Sequence, residues 1–178
     1  MIAGVDEVGR GCLAGPVIAA SVILKRPIKG LMDSKKLSSK KRENLCQAII
    51  ENSIFAIGAA DNQEIDKINI LQASLLAMRR SLEKLDLKPR KVLVDGTHIF
   101  ETSIEIESIV RGDNLIPSIS AASIVAKVFR DRLMMAYSKE FPNYGFDKHK
   151  GYPTKLHKEM LKRYGLTRIH RRTFKGVN

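Results

Sequence analysis

The sequence lacks the features that mark disulfide-rich, zinc-binding, secreted or membrane-spanning proteins. Its two cysteines, Cys12 and Cys46, form no C-x-x-C pair, which excludes a disulfide framework and gives no support to a structural zinc site. The longest apolar runs, such as VIAASVIL at 17–24, are far shorter than the roughly 20 residues of a membrane-spanning helix. The first residues, MIAGVDEVG, carry an acidic pair and no basic segment, so a signal peptide is not expected. We therefore expect a cytoplasmic protein with reduced thiols and no membrane partner.

Acidic residues are also scarce relative to basic ones. The 178 residues include 31 Lys and Arg but only 19 Asp and Glu, which gives a formal net charge of +12. A surplus of this size favours a polyanionic partner such as nucleic acid. The length suits one ordinary domain and is too short for two of typical size.

Hydrophobic patterning and turn residues predict an alternation of strands and helices. Strands are predicted at 1–5, 17–24, 54–60, 90–96 and 103–113, and helices from Ser38 or Ser39 to about 52, from Asp61 to about 85, at 117–137 and at 155–164. This order indicates an α/β fold, a mixed sheet with helices packed on it and a small C-terminal helical cap. We expect a core over 1–140 and a basic helical segment over 141–178, since residues 148–175 contain ten Lys or Arg and one acidic residue.

Four acidic residues lie at or just beyond the ends of predicted strands: Asp6, Glu7, Asp95 and Asp113. Carboxylates that converge in one place repel each other unless a cation neutralises them, and all-oxygen ligation suits Mg²⁺ or Mn²⁺. The alternative is that each acid is a separate turn or cap residue, which is common for Asp beside Gly. Asp6 and Glu7 can serve one site only if the strand ends or bends at Glu7.

A dinucleotide-binding loop is the competing interpretation of the same segment. Gly9-x-Gly11-x-x-Ala14 follows a strand, and Asp33 lies about 20 residues on. Gly15-Pro16 and a β-branched run then stand where a helix should begin, and the acidic pair would repel a pyrophosphate. We therefore disfavour this interpretation.

The segment after residue 141 combines positive charge with aromatic rings. His149 lies between Lys148 and Lys150, which suggests a phosphate contact rather than a metal ligand. Three aromatic residues are interleaved with the sequence KHKG: Tyr144, Phe146 and Tyr152. Stacking on sugars or bases together with phosphate pairing requires this mixture, so the segment is a candidate nucleic-acid contact.

Taken together, the motifs of this chain resemble those of one enzyme family. DEVGRG, DSKKLS, VDG, RGD followed by SISAASIVAKVFRD, YGFDKHKGYPT and HRRTF occur in this order. The chain resembles the bacterial type 2 ribonucleases H (ribonuclease HII) from about residue 2 to residue 176. The resemblance implies a ribonuclease H-like mixed sheet flanked by helices.

The resemblance also implies roles for individual residues. It places a metal site for two Mg²⁺ or Mn²⁺ ions on the four strand-end carboxylates, with Asp6 as the bridging ligand. It implies that Gly9, Arg10 and Gly11 contact a ribose 2′-hydroxyl largely through backbone groups, and that Tyr152 packs against the neighbouring sugar on the DNA side. The remaining candidate substrate contacts are Lys35, Lys36, Ser123, Lys127, Lys148 and His149.

The implied reaction is hydrolysis of the phosphodiester 5′ to a ribonucleotide, leaving 3′-hydroxyl and 5′-phosphate ends. The expected substrates are RNA/DNA hybrids and duplex DNA with single embedded ribonucleotides, bound by a monomer. Two alternatives remain open on the sequence alone: a metal-dependent DNA nuclease on a similar fold, and a non-catalytic nucleic-acid binding module in which the acids are caps.

Overall fold

A computed structural model describes residues 1–31 and 37–177 and has a five-stranded mixed sheet at its centre. The strands are β1 Ile2–Val8, β2 Val17–Leu24, β3 Ser53–Ala60, β4 Lys91–Asp95 and β5 Glu105–Ile109, in the order β3-β2-β1-β4-β5. The pairs β1–β2 and β2–β3 are antiparallel, whereas β1–β4 and β4–β5 are parallel. The predicted mixed sheet is therefore confirmed, and β1 lies at its middle.

Six α-helices surround the sheet in the described part of the chain. They are α1 Ser39–Glu51, α2 Asn62–Ile68, α3 Ile70–Glu83, α4 Pro117–Glu140, α5 Phe146–His149 and α6 Lys155–Tyr164, with 3₁₀ turns at Gly112–Asn114 and Pro142–Tyr144. None of the described helices is long and apolar enough to cross a membrane.

Three predicted elements differ from the structure in ways that bear on the core or the site. The strand expected over 1–5 continues to Val8 and so includes Asp6 and Glu7. The single helix expected over 61–85 is divided between α2 and α3 at Asn69, whose φ of 70° breaks the helix while its side chain accepts a hydrogen bond from the Gln72 N–H. The strand expected over 103–113 ends at Ile109, because Arg111 has a φ of 57° and the next residues form a 3₁₀ turn.

Strand β2 is buried on both of its faces, and its side chains alternate between two cores. Val17, Ala19 and Ile23 of β2 belong to the core on the α3 side, and Ile18 and Ala20 to the core that α1 and α4 cover. This period of two is the one that a fully covered strand requires.

Helix α4 packs directly on the backbone of β1. A Cβ atom added to Gly4 would lie 2.1 Å from the Ser118 carbonyl carbon, so only glycine allows this approach. The close contact fixes the start of α4 against the strand that carries Asp6 and Glu7.

A third hydrophobic core lies between the C-terminal segment, the end of α4 and the loop after β1. Tyr144, Phe146, Leu161 and Ile169 pack around Met134 near the end of α4. Residues 13 and 14 belong to the same core, so this segment lies against the loop that follows β1.

Candidate active site

The predicted acidic residues come together at one end of the sheet. In the parallel pairing of β1 with β4, Val5 lies opposite Val94, so Asp6 and Asp95 follow side by side on neighbouring strands. The backbone N–H of Asp113 donates a hydrogen bond to Oδ1 of Asp95 at 3.2 Å. The strand does not end at Glu7, as a shared site was expected to require, but continues to Val8; the Glu7 side chain nevertheless lines the same groove as Asp95.

Burial and the repulsion between neighbouring carboxylates disfavour negative charge on Asp6 and Glu7. Asp6 is 6% exposed, and its pKa lies well above the ordinary value, first because of burial and then because of the charges of Glu7 and Asp95. An interaction with the Ser123 side chain opposes this rise. Burial also raises the pKa of Glu7, while the Arg10 guanidinium, 3.3 Å from its carboxylate, lowers it. A cation at this end of the sheet would stabilise the charged forms.

The carboxylates are arranged as neighbouring pairs rather than as a closed ligand shell. Within residues 1–31 and 37–177, no three His, Cys, Asp or Glu side chains converge closely enough to enclose a metal ion. The donors are nevertheless all carboxylates, and burial raises the pKa of Asp6 and of Glu7, a set that fits Mg²⁺ or Mn²⁺. Metal binding here requires the side chains to turn toward a common point.

The loop after β1 has a conformation that only glycine allows at its first position. Gly9 has a φ of 94°, and a Cβ atom there would lie 2.2 Å from Nε of Arg130. Arg10 and Gly11 are exposed at the turn that follows. The buried Arg171 side chain donates hydrogen bonds to the carbonyl oxygens of Gly9 and Arg10, at 2.7 and 2.9 Å.

One face of α4 extends from the carboxylates toward Tyr152. Ser123 and Lys127 are one turn apart on this face, and Arg130 follows on it, as the helical spacing requires. The Lys127 ammonium lies 5.7 Å from the centre of the Tyr152 ring and is also paired with Asp131 at 2.8 Å. The predicted contacts Ser123, Lys127 and Tyr152 therefore share one surface with the acidic group.

His149 was predicted to contact a phosphate, but its side chain is buried. The residue is buried, its Nε2 is 2.8 Å from the Tyr144 carbonyl oxygen, and its Nδ1 accepts a hydrogen bond from the Gly151 N–H. Both ring nitrogens are thus used inside the protein, and the prediction of a phosphate contact is corrected to a structural role. Lys148 is exposed beside it, and the predicted contacts Lys35 and Lys36 lie outside the described residues.

A groove of about 250 Å³ adjoins the acidic group and is lined by Glu7, Arg10, Asp95 and His98 among others. A larger groove of about 570 Å³, lined by residues such as Leu76 and Phe100, contains none of the four carboxylates. The smaller groove is the one relevant to chemistry, because Glu7 and Asp95 of the acidic group line it.

Two functional candidates escaped the sequence analysis, the buried arginines Arg130 and Arg171. Both occur inside motifs quoted above, SISAASIVAKVFRD and HRRTF, but charged residues are normally expected on the surface. Their position beneath the Gly9–Gly11 loop is visible only in the folded chain.

Comparison with known proteins identifies relatives over almost the whole chain. The family model described as Ribonuclease HII matches residues 3–177. A Ribonuclease HII of Coxiella burnetii (strain Dugway 5J108-111) is 54% identical over 180 residues, which cover 99% of this chain and 89% of the relative. The crystal structure of ribonuclease H2 from Pyrococcus horikoshii OT3 superposes with a TM-score of 0.82 at 28% identity, covering 99% of this chain and 94% of that one. The crystal structure of Bst-RNase HIII in complex with Mn²⁺ shares the fold, with a TM-score of 0.78 at 18% identity over 99% of this chain and 67% of that one.

Proposed function

Because the chain belongs to the ribonuclease HII family, a family of ribonuclease H endonucleases, we propose that it cleaves the phosphodiester 5′ to a ribonucleotide. The substrates are RNA/DNA hybrids and duplex DNA containing single ribonucleotides. The products carry 3′-hydroxyl and 5′-phosphate ends.

The observation that carries this proposal is the acidic group at the ends of β1 and β4. Asp6 and Asp95 lie side by side, and both Asp6 and Glu7 have raised pKa values. Two bound Mg²⁺ or Mn²⁺ ions would supply a water of lowered pKa and a positive charge beside the leaving 3′-oxygen. The Mn²⁺ complex of the related Bst-RNase HIII supports this choice of metal.

The protein side chains have distinct parts in this proposal. Asp6 would bridge the ions, with Glu7, Asp95 and Asp113 as the remaining ligands. Ser123 interacts with Asp6 and Arg10 with Glu7, so each of these carboxylates has a partner that restricts its orientation.

Substrate recognition is proposed for the surface around the acidic group. Backbone groups of Gly9, Arg10 and Gly11 contact the 2′-hydroxyl, the feature that distinguishes RNA from DNA at one position. Tyr152 packs against the neighbouring sugar. Phosphate contacts are assigned to the lysines at 35, 36, 127 and 148 and to Ser123.

The decisive assay is cleavage of a duplex with one ribonucleotide in Mg²⁺, with the nick mapped on a sequencing gel. We expect a single cut 5′ to the ribonucleotide and no cut in the matched all-DNA duplex. Cleavage of both duplexes would instead identify a DNA nuclease, and binding without cleavage in Mg²⁺ or Mn²⁺ would identify a binding module.

Asp95→Asn tests the metal assignment within the same assay. Loss of one carboxylate charge should abolish cleavage and leave binding of the hybrid nearly unchanged, because Asp95 faces the metal site rather than the phosphates. The matched control is Asp86→Asn at an exposed position after α3, which should retain full activity. Full activity of Asp95→Asn in Mg²⁺ would contradict the assignment.

A further inference from the structure

Arg130 and Arg171 are the two largest fully buried side chains among the described residues, and both are 0% exposed. Within residues 1–31 and 37–177 neither forms an ion pair with a carboxylate. Burial lowers the pKa of Arg171 to about 10, so the group is still a cation at neutral pH. A buried, unpaired cation is costly unless hydrogen bonds replace its hydration.

Main-chain carbonyl groups supply those hydrogen bonds. Arg171 donates to the oxygens of Gly9, Arg10 and Gly15 at 2.7, 2.9 and 3.0 Å. Arg130 donates to the oxygens of Ala14, Pro16 and Lys150 at 3.1, 3.0 and 2.8 Å. Five of the six acceptors belong to residues 9–16, so the two guanidinium groups together hold the loop after β1 from beneath.

This arrangement determines the direction of the exposed N–H groups. No described peptide bond is cis, and in a trans peptide the N–H points opposite to the carbonyl of the preceding residue. Since the Gly9 and Arg10 carbonyls point inward to Arg171, the N–H groups of Arg10 and Gly11 point outward. Among the described residues neither of these N–H groups has a hydrogen-bond partner, and both residues are exposed.

The Arg130 guanidinium also connects the loop to the Tyr152 segment. Arg130 bonds to the Lys150 oxygen, and its Cζ lies 5.9 Å from the Tyr152 ring centre. The Leu13 N–H donates to the Gly151 oxygen at 2.8 Å. The loop and Tyr152 are therefore held in a fixed relation by one buried cation and one main-chain hydrogen bond.

We propose that Arg171 and Arg130 are positioning residues for ribose recognition: they turn the Arg10 and Gly11 N–H groups outward and fix them relative to Tyr152. Hydrogen bonding of a carbonyl to a cation also polarises its peptide group, which makes the opposite N–H a stronger donor. This inference rests on the proposed function, because the group that these N–H donors meet is the ribose 2′-hydroxyl.

Amide hydrogen exchange of the wild-type protein tests the direction of the N–H groups without any substitution. The Arg10 and Gly11 amides should exchange rapidly and the Leu13 amide slowly, since only Leu13 donates within the protein. Addition of a duplex with one ribonucleotide should shift the Arg10 and Gly11 amide resonances more than the matched DNA duplex does. Slow exchange at Arg10 and Gly11 in the free protein would overturn the inference.

Arg171→Lys tests the positioning role by binding. In an Asp95→Asn background, which prevents cleavage, the affinities for a one-ribonucleotide duplex and for the matched DNA duplex are measured by fluorescence anisotropy. We expect the ratio of the two affinities to fall about tenfold, the effect of losing about one strong hydrogen bond. Affinity for the DNA duplex should change less than twofold, because lysine keeps the charge.

The matched control is Arg168→Lys, an exposed arginine near Arg171 in sequence, which should leave the affinity ratio unchanged. Arg130→Lys provides a second variant, with the same expected fall, if Arg171→Lys fails to fold. An unchanged ratio in either folded variant would overturn the inference. If the wild-type chain does not cleave the one-ribonucleotide duplex at all, the proposed function itself fails, and the two failures are thereby distinguished.

Discussion

Mild acid should destabilise this protein through two buried histidines, His157 and His170. They are 0% and 1% exposed, and their Nε2 atoms are 3.0 Å apart. The Thr167 N–H donates to Nδ1 of His170, so the His170 proton is on Nε2 and is donated to Nε2 of His157. His157 then carries its own proton on Nδ1, which is 2.9 Å from the Tyr152 carbonyl oxygen. A second proton on His157 would place its Nε2–H against the Nε2–H of His170. A second proton on His170 would place its Nδ1–H against the Thr167 N–H.

The pKa values of both rings are correspondingly low. Burial lowers the pKa of each to about 4, with the His149 ring, stacked on His157 at 4.4 Å, contributing further. In the unfolded chain both would titrate near 6.5, so acidification protonates the unfolded state first. Their contribution to stability is complete above about pH 6.5 and is lost as the pH falls toward 4. Between pH 7 and pH 5 the loss amounts to about 2 kcal/mol for each ring.

Urea unfolding at pH 7 and pH 5, in the presence of a chelator, measures this loss. Asp6 and Glu7 act in the opposite direction, because their raised pKa values make acidification stabilising. Because Asp6 and Glu7 are present in every variant, their contribution cancels when the loss of stability in a histidine variant is compared with the loss in the wild type. In His170→Asn the loss between the two pH values should be about 2 kcal/mol smaller than in the wild type, whereas in His98→Asn, at an exposed position, it should equal the wild-type value. Equal losses in His170→Asn and the wild type would refute the reasoning.

Three further predictions concern packing and substrate binding. Gly4→Ala should lower the free energy of unfolding by about 3 kcal/mol in urea, because its Cβ would overlap Ser118, whereas Gly11→Ala, where a Cβ meets no atom within 4 Å, should leave it unchanged. Equal stability of these two variants would contradict the packing of α4 on β1. Tyr152→Ala should reduce cleavage at a single embedded ribonucleotide more than cleavage of a long hybrid, and an unchanged ratio of the two rates on gels would remove Tyr152 from ribose recognition. Binding of the hybrid should weaken steeply with salt because phosphate contacts release counterions, and a flat response would contradict a basic binding surface.

The sequence was sufficient to predict that Asp6 and Asp95 lie near the ends of strands, because the signal for each is local, whereas metal binding by the four carboxylates stays a prediction. Asp6 and Asp95 each end a short run of apolar residues, and runs of this kind are the central strands β1 and β4. The helix start predicted at Asp61 was equally local, and in the structure Asp61 and Glu64 form a capping box there. The family resemblance is confirmed as well, by the match over residues 3–177.

The features that could not be predicted depend on distant contacts. The apolar residues whose spacing predicts the helix, from Leu71 to Leu85, all follow Asn69, so their period does not report the interruption at Asn69. His149 lies in a basic, polar stretch, and its burial follows from packing on Phe146 in the C-terminal core. The burial of Arg171 depends on carbonyl groups more than 150 residues earlier in the chain, which no local pattern can reveal.

The long sequence separation between Arg171 and the loop that it supports has a consequence for protein synthesis. The strands that carry Asp6 and Asp95 have left the ribosome long before residue 171 is added, so the acidic end of the sheet can form early. The Gly9 and Arg10 carbonyls have no partner in Arg171 until residue 171 has been added. A nascent chain can therefore acquire its carboxylates before the loop beside them gains the hydrogen bonds of Arg171.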